Sequence, residues 1–176
     1  MKISISGPQC CGKTTTLGAL KTQKALEGYT FIEEPIRRLV REKGIKINKD
    51  ASFDDQILIL QEHHLNILRY DRFVTDRSAL DAFTYATYDY IHGKYSFSQW
   101  KQFKDIFDEC MKHYDRVFLL EPLPMKDDGF RSLDIQWQKE TYNLMYDIAF
   151  QQAWTKPVIL PDYNVEVRMK IFNEAI

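Results

Sequence analysis

Eight residues near the amino end, Gly7-Pro8-Gln9-Cys10-Cys11-Gly12-Lys13-Thr14, constrain this chain more than any other stretch. Two glycines with four residues between them, followed by Lys and a hydroxyl residue, form a phosphate-loop pattern, which carries meaning only between a strand and a helix. Both neighbours fit. Lys2-Ile3-Ser4-Ile5-Ser6 alternates as a short strand does, and Lys13 to about Glu27 reads as a helix stopped by Gly28. Gly7 and Gly12 permit backbone conformations that a Cβ would forbid, so the amides of Gln9, Cys10, Cys11, Gly12, Lys13, Thr14 and Thr15 can curl around a phosphate chain. Lys13 adds a compact positive charge, the first helical turn adds unpaired donors, and Thr14 offers a hydroxyl to Mg²⁺, which prefers hard oxygen ligands.

At 176 residues the chain fits one domain, 1–176, large enough to bury a substantial core. Formal net charge is −1, so there is no basic field of the kind that holds a duplex by its phosphates. That balance disfavours nucleic acid and favours a small-molecule partner. No apolar run is long enough to span a bilayer, and Met1 leads straight into the first strand without a signal segment, which predicts a cytoplasmic protein with no membrane role. The three cysteines are an odd number with two adjacent, which is no disulfide framework, and Cys10 and Cys11 read as loop residues whose backbone matters.

The rest of the chain alternates strand-like and helix-like segments. Strands are predicted over Tyr29–Ile32, Arg72–Arg77, Arg116–Glu121 and Lys156–Pro161. Helices are predicted from Pro35 to Gly44, Asp54 to Tyr70, Ser78 to Ile91, Ser98 to His113, Leu133 to Trp154 and Val165 to Ile176. Parallel strands need crossover connections, so the pattern predicts an α/β fold with a five-stranded parallel sheet covered by helices on both faces. Ligands gather at the carboxyl ends of such strands.

Those ends carry charge. The second strand delivers Glu33 and Glu34, the third Asp76 and Arg77, and the fourth Glu121. Asp76 is the candidate magnesium-side carboxylate and Glu34, with Glu33 behind it, the candidate base or substrate-orienting group. Arg77, and Arg37 or Arg38 one turn into the second helix, are candidates to clamp a substrate anion. Asp127-Asp128-Gly129-Phe130-Arg131 lies in a polar segment, about 122–133, that would serve as a short lid, with Arg131 closing over a transferring phosphoryl group. His63 and His64 are adjacent on a helix and lack the spacing for a shared metal. Phe83, Tyr85, Tyr88 and Tyr90 read mainly as core, with a base-stacking surface as the alternative.

Taken in order, the phosphate loop, Glu34-Pro35, Asp76-Arg77-Ser78 with Tyr85 on the next helix, and Asp128-Gly129-Phe130-Arg131 resemble small P-loop nucleoside and nucleotide kinases across nearly the whole chain. The Asp-Gly-x-Arg segment is similar to the ribosylnicotinamide-kinase-like branch of AAA-type P-loop proteins. Glu-Pro and Asp-Arg-Ser are similar to the thymidylate-kinase and deoxynucleoside-kinase branches, although Glu33 stands where a typical thymidylate kinase has Arg. The resemblance implies a three-layer P-loop NTPase fold and an enzyme using ATP and Mg²⁺. It places phosphate binding on Lys13, metal binding on Thr14 and Asp76, acceptor chemistry on Glu34 and the lid contact on Arg131, with Arg37, Arg77 and Tyr85 toward the acceptor.

The expectation is therefore a kinase acting on a nucleoside or nucleoside monophosphate. The compact length suits a stand-alone, phage-encoded enzyme, and a homodimer is compatible with it. A nucleotide-hydrolysing or nucleotide-sensing module is the rival, disfavoured because no glutamate follows Asp76 to activate water; a kinase of nucleic-acid ends is a second rival.

Overall fold

The computed structural model describes residues 1–33, 35–47, 50–125, 134–151, 156–161 and 164–176. Its sheet has five strands, β1 Lys2–Ser6, β2 Thr30–Ile32, β3 Phe73–Asp76, β4 Arg116–Leu120 and β5 Val158–Leu160, in the order β2-β3-β1-β4-β5. All four pairings are parallel, with Ser4 beside Thr75 on one side and Val117 on the other. The expected five-stranded parallel sheet is what forms.

Alternation along the strands separates two cores. Ile3 and Ile5 of β1, Val74 of β3 and Phe118 and Leu120 of β4 face α1 (Lys13–Leu20) and α7 (Val165–Ala175), where Phe118 stacks on Phe172. Phe73, Val117 and Leu119 face the larger core beneath α3 (Phe53–Arg69), α4 (Ala79–Ile91), α5 (Phe97–Met111) and α6 (Ile135–Gln151), against which α2 (Pro35–Lys43) sets Leu39. Phe83 stacks on Phe107 in that core, as the core reading of the aromatic group requires.

Three helices begin with capping boxes, Ser52 with Asp55, Ser78 with Asp81 and Ser96 with Gln99, so their starts are set by local chemistry. The first helix is shorter than expected. It ends at Leu20 instead of about Glu27, because Gln23 N–H closes back on Leu20 O and a 3₁₀ turn over Lys24–Leu26 follows. That turn swings Leu26 into the core, a burial that a continued α-helix would not give. Among the described residues no helix is long and apolar enough to cross a membrane.

Candidate active site

β1 delivers the chain to the phosphate loop at Gly7, whose φ is +154°; a Cβ there would lie 2.9 Å from the Leu120 carbonyl of β4. The loop ends at Gly12, left-handed at φ 82° and the N-cap of α1, so a residue without Cβ is needed where the chain turns into the helix. Cys10 is also left-handed, at φ 55°. Lys13, 7% exposed, folds its ammonium into the loop and donates to the carbonyls of Gly7 and Pro8, both at 2.7 Å, with Cys11 Sγ at 3.3 Å.

Thr14 Oγ1 donates to Asp76 Oδ2 at 3.1 Å. This bond joins the first turn of α1 to the end of β3 and brings the two expected metal-side oxygens together. A hydroxyl and a carboxylate at that separation, beside the lysine of a phosphate loop, are the hard-oxygen pair that Mg²⁺ takes when it keeps most of its waters. The donor set therefore fits the ion.

Behind these residues runs a polar truss. Ser6 Oγ and Ser78 Oγ are 2.8 Å apart, Ser78 N donates to Asp81 Oδ2 at 3.0 Å, and Gly7 N donates to Asp81 Oδ1 at 3.3 Å. The capping box of α4 thus also holds the mouth of the phosphate loop. Arg77, left-handed at φ 77°, is fixed by its N–H to Ile5 O at 3.0 Å and sets Nη1 3.5 Å from Asp81 Oδ1. A non-glycine residue in this region costs about 1–3 kcal/mol, and such cost concentrates at functional sites. Burial works against the Arg77 cation, but Tyr85, Asp81 and Asp76 around it hold its pKa above the ordinary value.

Two distant side chains brace the loop. Arg168 of α7, 1% exposed, donates from Nη1 to Cys11 O at 2.9 Å and to Thr16 Oγ1 at 3.1 Å. Gln138 of α6 donates from Nε2 to Gln9 O at 2.8 Å and Leu123 O at 3.0 Å, while Leu123 N bonds Cys10 O at 3.1 Å. The segment leaving β4 therefore lies against the loop crest.

A cavity of about 500 Å³ opens from the loop. Gln9, Cys10, Cys11, Gly12, Lys13, Thr14, Thr15, Asp76, Arg77 and Tyr85, all expected at the site, line it. The rest of its lining is Ile36, Val40 and Arg41 of α2, Ile47 between α2 and α3, Gln56 and Ile59 of α3, and Asp81 and Ala82 of α4. That is an apolar chamber with a buried amide, Gln56, and two arginines, next to a phosphate site. Glu33 is placed differently: it is half-exposed in an ion pair with Lys21 and does not line the cavity. Glu34, the Arg37 side chain and Arg131 with the rest of the expected lid over 126–133 lie outside the described residues.

Gln56, Arg41, Asp81, Gln138 and Arg168 belong to no site motif in the sequence. Asp81 carried a signal, since Ser78-x-x-Asp81 is a capping-box pattern. His63 read as uninformative, yet it is 1% exposed on the inner face of α3. Burial first, and then the positive charge of Arg77, lower its pKa to about 3, so it is neutral at ordinary pH.

Comparison with known proteins bears on the family and the fold. The family described as an AAA domain, AAA_28, matches residues 2–168. No curated protein matches the chain in sequence. Among solved structures, deoxyadenosine kinase from M. mycoides, bound to the products dCMP and a flexible dCDP, superposes with a TM-score of 0.73 at 18% identity, covering 99% of this chain and 97% of that one. NadR in complex with NR gives a TM-score of 0.68 at 19% identity, covering 98% of this chain and 51% of NadR, so this chain spans about half of that protein. The fold is that of P-loop nucleoside kinases.

Proposed function

The chain belongs to the AAA domain family, and from its phosphate loop and adjoining chamber we propose that it is an ATP- and Mg²⁺-dependent kinase that phosphorylates a nucleoside or nucleoside monophosphate. The observation that carries this reading is the 3.1 Å bond between Thr14 and Asp76, set between the Lys13 ammonium and a chamber large enough for an acceptor. A hydrolase needs only the phosphate half of such a site.

In this reading the loop amides and Lys13 hold the β- and γ-phosphates. Thr14 and Asp76 would hold Mg²⁺, which would supply charge neutralisation to the bound phosphates. The apolar residues Ile36, Val40, Ile47 and Ile59 enclose the acceptor base, and the Gln56 amide offers it a donor and an acceptor. Arg77, fixed by Asp81, and Tyr85 meet the sugar or phosphate end. Glu34, which follows β2 in sequence, takes the proton from the acceptor hydroxyl as its oxygen bonds the γ-phosphorus. The bond from that phosphorus to the β–γ bridging oxygen breaks, leaving ADP. Arg131 closes over the transferring group and excludes water.

Incubating the protein with ATP and Mg²⁺ against a panel of nucleosides, deoxynucleosides and their monophosphates tests the proposal. Phosphorylated acceptor is expected with at least one member, and Lys13→Ala should lower its turnover by about 10²-fold or more. ATP loss without any phosphorylated acceptor would turn the assignment to a hydrolase, and near-normal turnover by Lys13→Ala would end the phosphate-loop argument.

A further inference from the structure

The rings of Tyr85, Tyr88 and Trp137 form a seam between α4 and α6, beside the cavity but outside the phosphate loop and its braces. Tyr85 lies four residues after Asp81 on α4, so the two share a helical face, and both line the cavity together with Arg77. Arg77 donates a hydrogen bond to the Tyr85 hydroxyl, which makes this phenol part of what aims the guanidinium. A ring at the edge of a cavity is packed on one side only. Its rotamer is therefore set by whatever stands behind it.

Behind Tyr85 stands Trp137, in the first turn of α6. Its indole is 4% exposed, lies 5.5 Å from the Tyr85 ring at an interplanar angle of 30°, and meets Tyr88 edge-on at 6.5 Å and 81°, without lining the cavity itself. The turn is held in its own right. Trp137 N donates to Asp134 Oδ1 at 2.9 Å, and Glu140 accepts from the Tyr88 hydroxyl at 3.0 Å and from Gln136 Nε2 at 2.8 Å. The next residue, Gln138, donates to Gln9 O and Leu123 O. We infer that Trp137 is a positioning residue for the acceptor half of the site, fixing the Tyr85 ring and through it Arg77, while Gln138 in the same turn fixes the phosphate loop. The inference rests on the acceptor occupying this cavity, as the kinase reading has it.

Helix geometry lets one turn serve both halves. Consecutive residues point about 100° apart around the axis, so Trp137 reaches α4 while Gln138 reaches the loop crest. An aromatic pair of this kind contributes roughly 2- to 13-fold to an equilibrium beyond the area it buries. An aliphatic side chain fills space there but does not set the plane of the Tyr85 ring. The seam between α4 and α5 supplies the contrast. There Trp100 packs on Phe83 and Tyr90 and donates from Nε1 to Thr87 Oγ1 at 3.0 Å, yet none of these four residues lines the cavity. Loss of the Trp100 indole removes the same kind of packing from the same helix without touching Tyr85.

Steady-state kinetics on the full chain, with ATP, Mg²⁺ and the nucleoside or monophosphate it accepts, test this. Trp137→Leu should raise the acceptor KM roughly 2- to 13-fold and leave the ATP KM unchanged. Trp137→Phe, which keeps a ring, should recover most of the loss, and Trp100→Leu should stay within about twofold of wild type. In a Tyr85→Leu background Trp137→Leu should add less than about twofold, because the ring it acts through is gone. A crystal structure of ligand-free Trp137→Leu should show the Tyr85 hydroxyl no longer bonded to Arg77. Trp137→Met, which keeps more volume, takes the place of Trp137→Leu if that variant does not fold. An unmoved acceptor KM, equal changes in both KM values, full additivity with Tyr85→Leu, or a Tyr85 ring that stays in place would overturn the inference. If wild type phosphorylates no acceptor, the kinase reading fails by itself, and the position of Tyr85 in the variant still decides what Trp137 does.

Discussion

Arg168 offers the sharpest test of how the phosphate loop is held. Its guanidinium comes from the last helix, is 1% exposed, and bonds both the Cys11 carbonyl and the Thr16 hydroxyl; a Cβ on Gly12 would lie 2.9 Å from Nη1, so the cation sits directly against the loop. Hydrogen bonds from a charged donor contribute about 1.5–3 kcal/mol each, so the two together are worth roughly 3–6 kcal/mol before offsets. Methionine fills much of the same volume and avoids burying a cation, which returns part of that, leaving an expected cost for Arg168→Met of about 2–4 kcal/mol. Lysine keeps the charge and can keep one bond, so Arg168→Lys should fall between. Lys170→Met, on the exposed side of α7, should stay within about 0.5 kcal/mol of wild type.

The loop should also lose affinity. Without the tether, the Cys11–Gly12 backbone must be ordered when nucleotide binds, and fixing one residue costs about 1–2 kcal/mol, or roughly 5- to 30-fold in the dissociation constant. Urea unfolding gives the stability and titration with a fluorescent ATP analogue gives the affinity, measured where each variant is fully folded. Folded Arg168→Met that binds within twofold of wild type would refute the bracing argument, whatever its stability.

Two further perturbations follow from other contacts. Gly7→Ala would press a Cβ to 2.7 Å from Cys11 Sγ and 2.9 Å from Leu120 O, at a positive φ; crowding and strain together should cost about 2–5 kcal/mol in urea unfolding. Adding Cys11→Ala should recover only part of this, because the β4 carbonyl stays in place, and full recovery would contradict the steric account. His63 has its pKa lowered from 6.5 to about 3, so the unfolded chain takes up a proton that the native one refuses. Stability is then complete above about pH 6.5 and falls by about 1.4 kcal/mol per pH unit as pH drops toward 3. His63→Gln should show an acid limb shallower by one proton, and an unchanged slope would mean that His63 is protonated in the native state.

The legible parts of this molecule were those written in local chemistry. The phosphate loop depends on residue types at fixed spacing, and Asp76 and Arg77 follow a short β-branched and aromatic run that reads as a strand, so the parallel-sheet rule sends them to the same end as the loop. The first helix is shorter than its sequence suggests because nothing in Lys21-Thr22-Gln23 is a strong breaker; its end depends on Leu26 finding the core. Arg168 and Gln138 were illegible for a different reason. Each lies more than a hundred residues from the phosphate-loop carbonyl it holds, and an arginine or glutamine on an amphipathic helix looks like a solvent-facing residue until packing buries it. Gln56 was hidden because the largely buried α3 gives no sign in sequence of which buried positions face a cavity and which face a sheet. Arg77 was found by its place at a strand end, but its left-handed backbone, which aims it, follows from the bond to Ile5 and could not be read.

The same contacts explain why the site is held from several sides. The phosphate loop is tied to α4 through Ser78 and Asp81, to α6 through Gln138 and to α7 through Arg168, while Thr14 ties α1 to β3. A loop ordered by its own scaffold loses less conformational entropy on binding, which is the general route to affinity without additional contacts. Asp81 also faces Arg77, so one carboxylate holds both the mouth of the loop and a guanidinium that lines the cavity. Any shift of α4 that a ligand induces in the cavity must then be felt at Gly7, whereas the α6 and α7 braces act at Gln9 and Cys11. Removing Arg168 loosens one brace of three, and that is why its loss should weaken nucleotide binding without abolishing it.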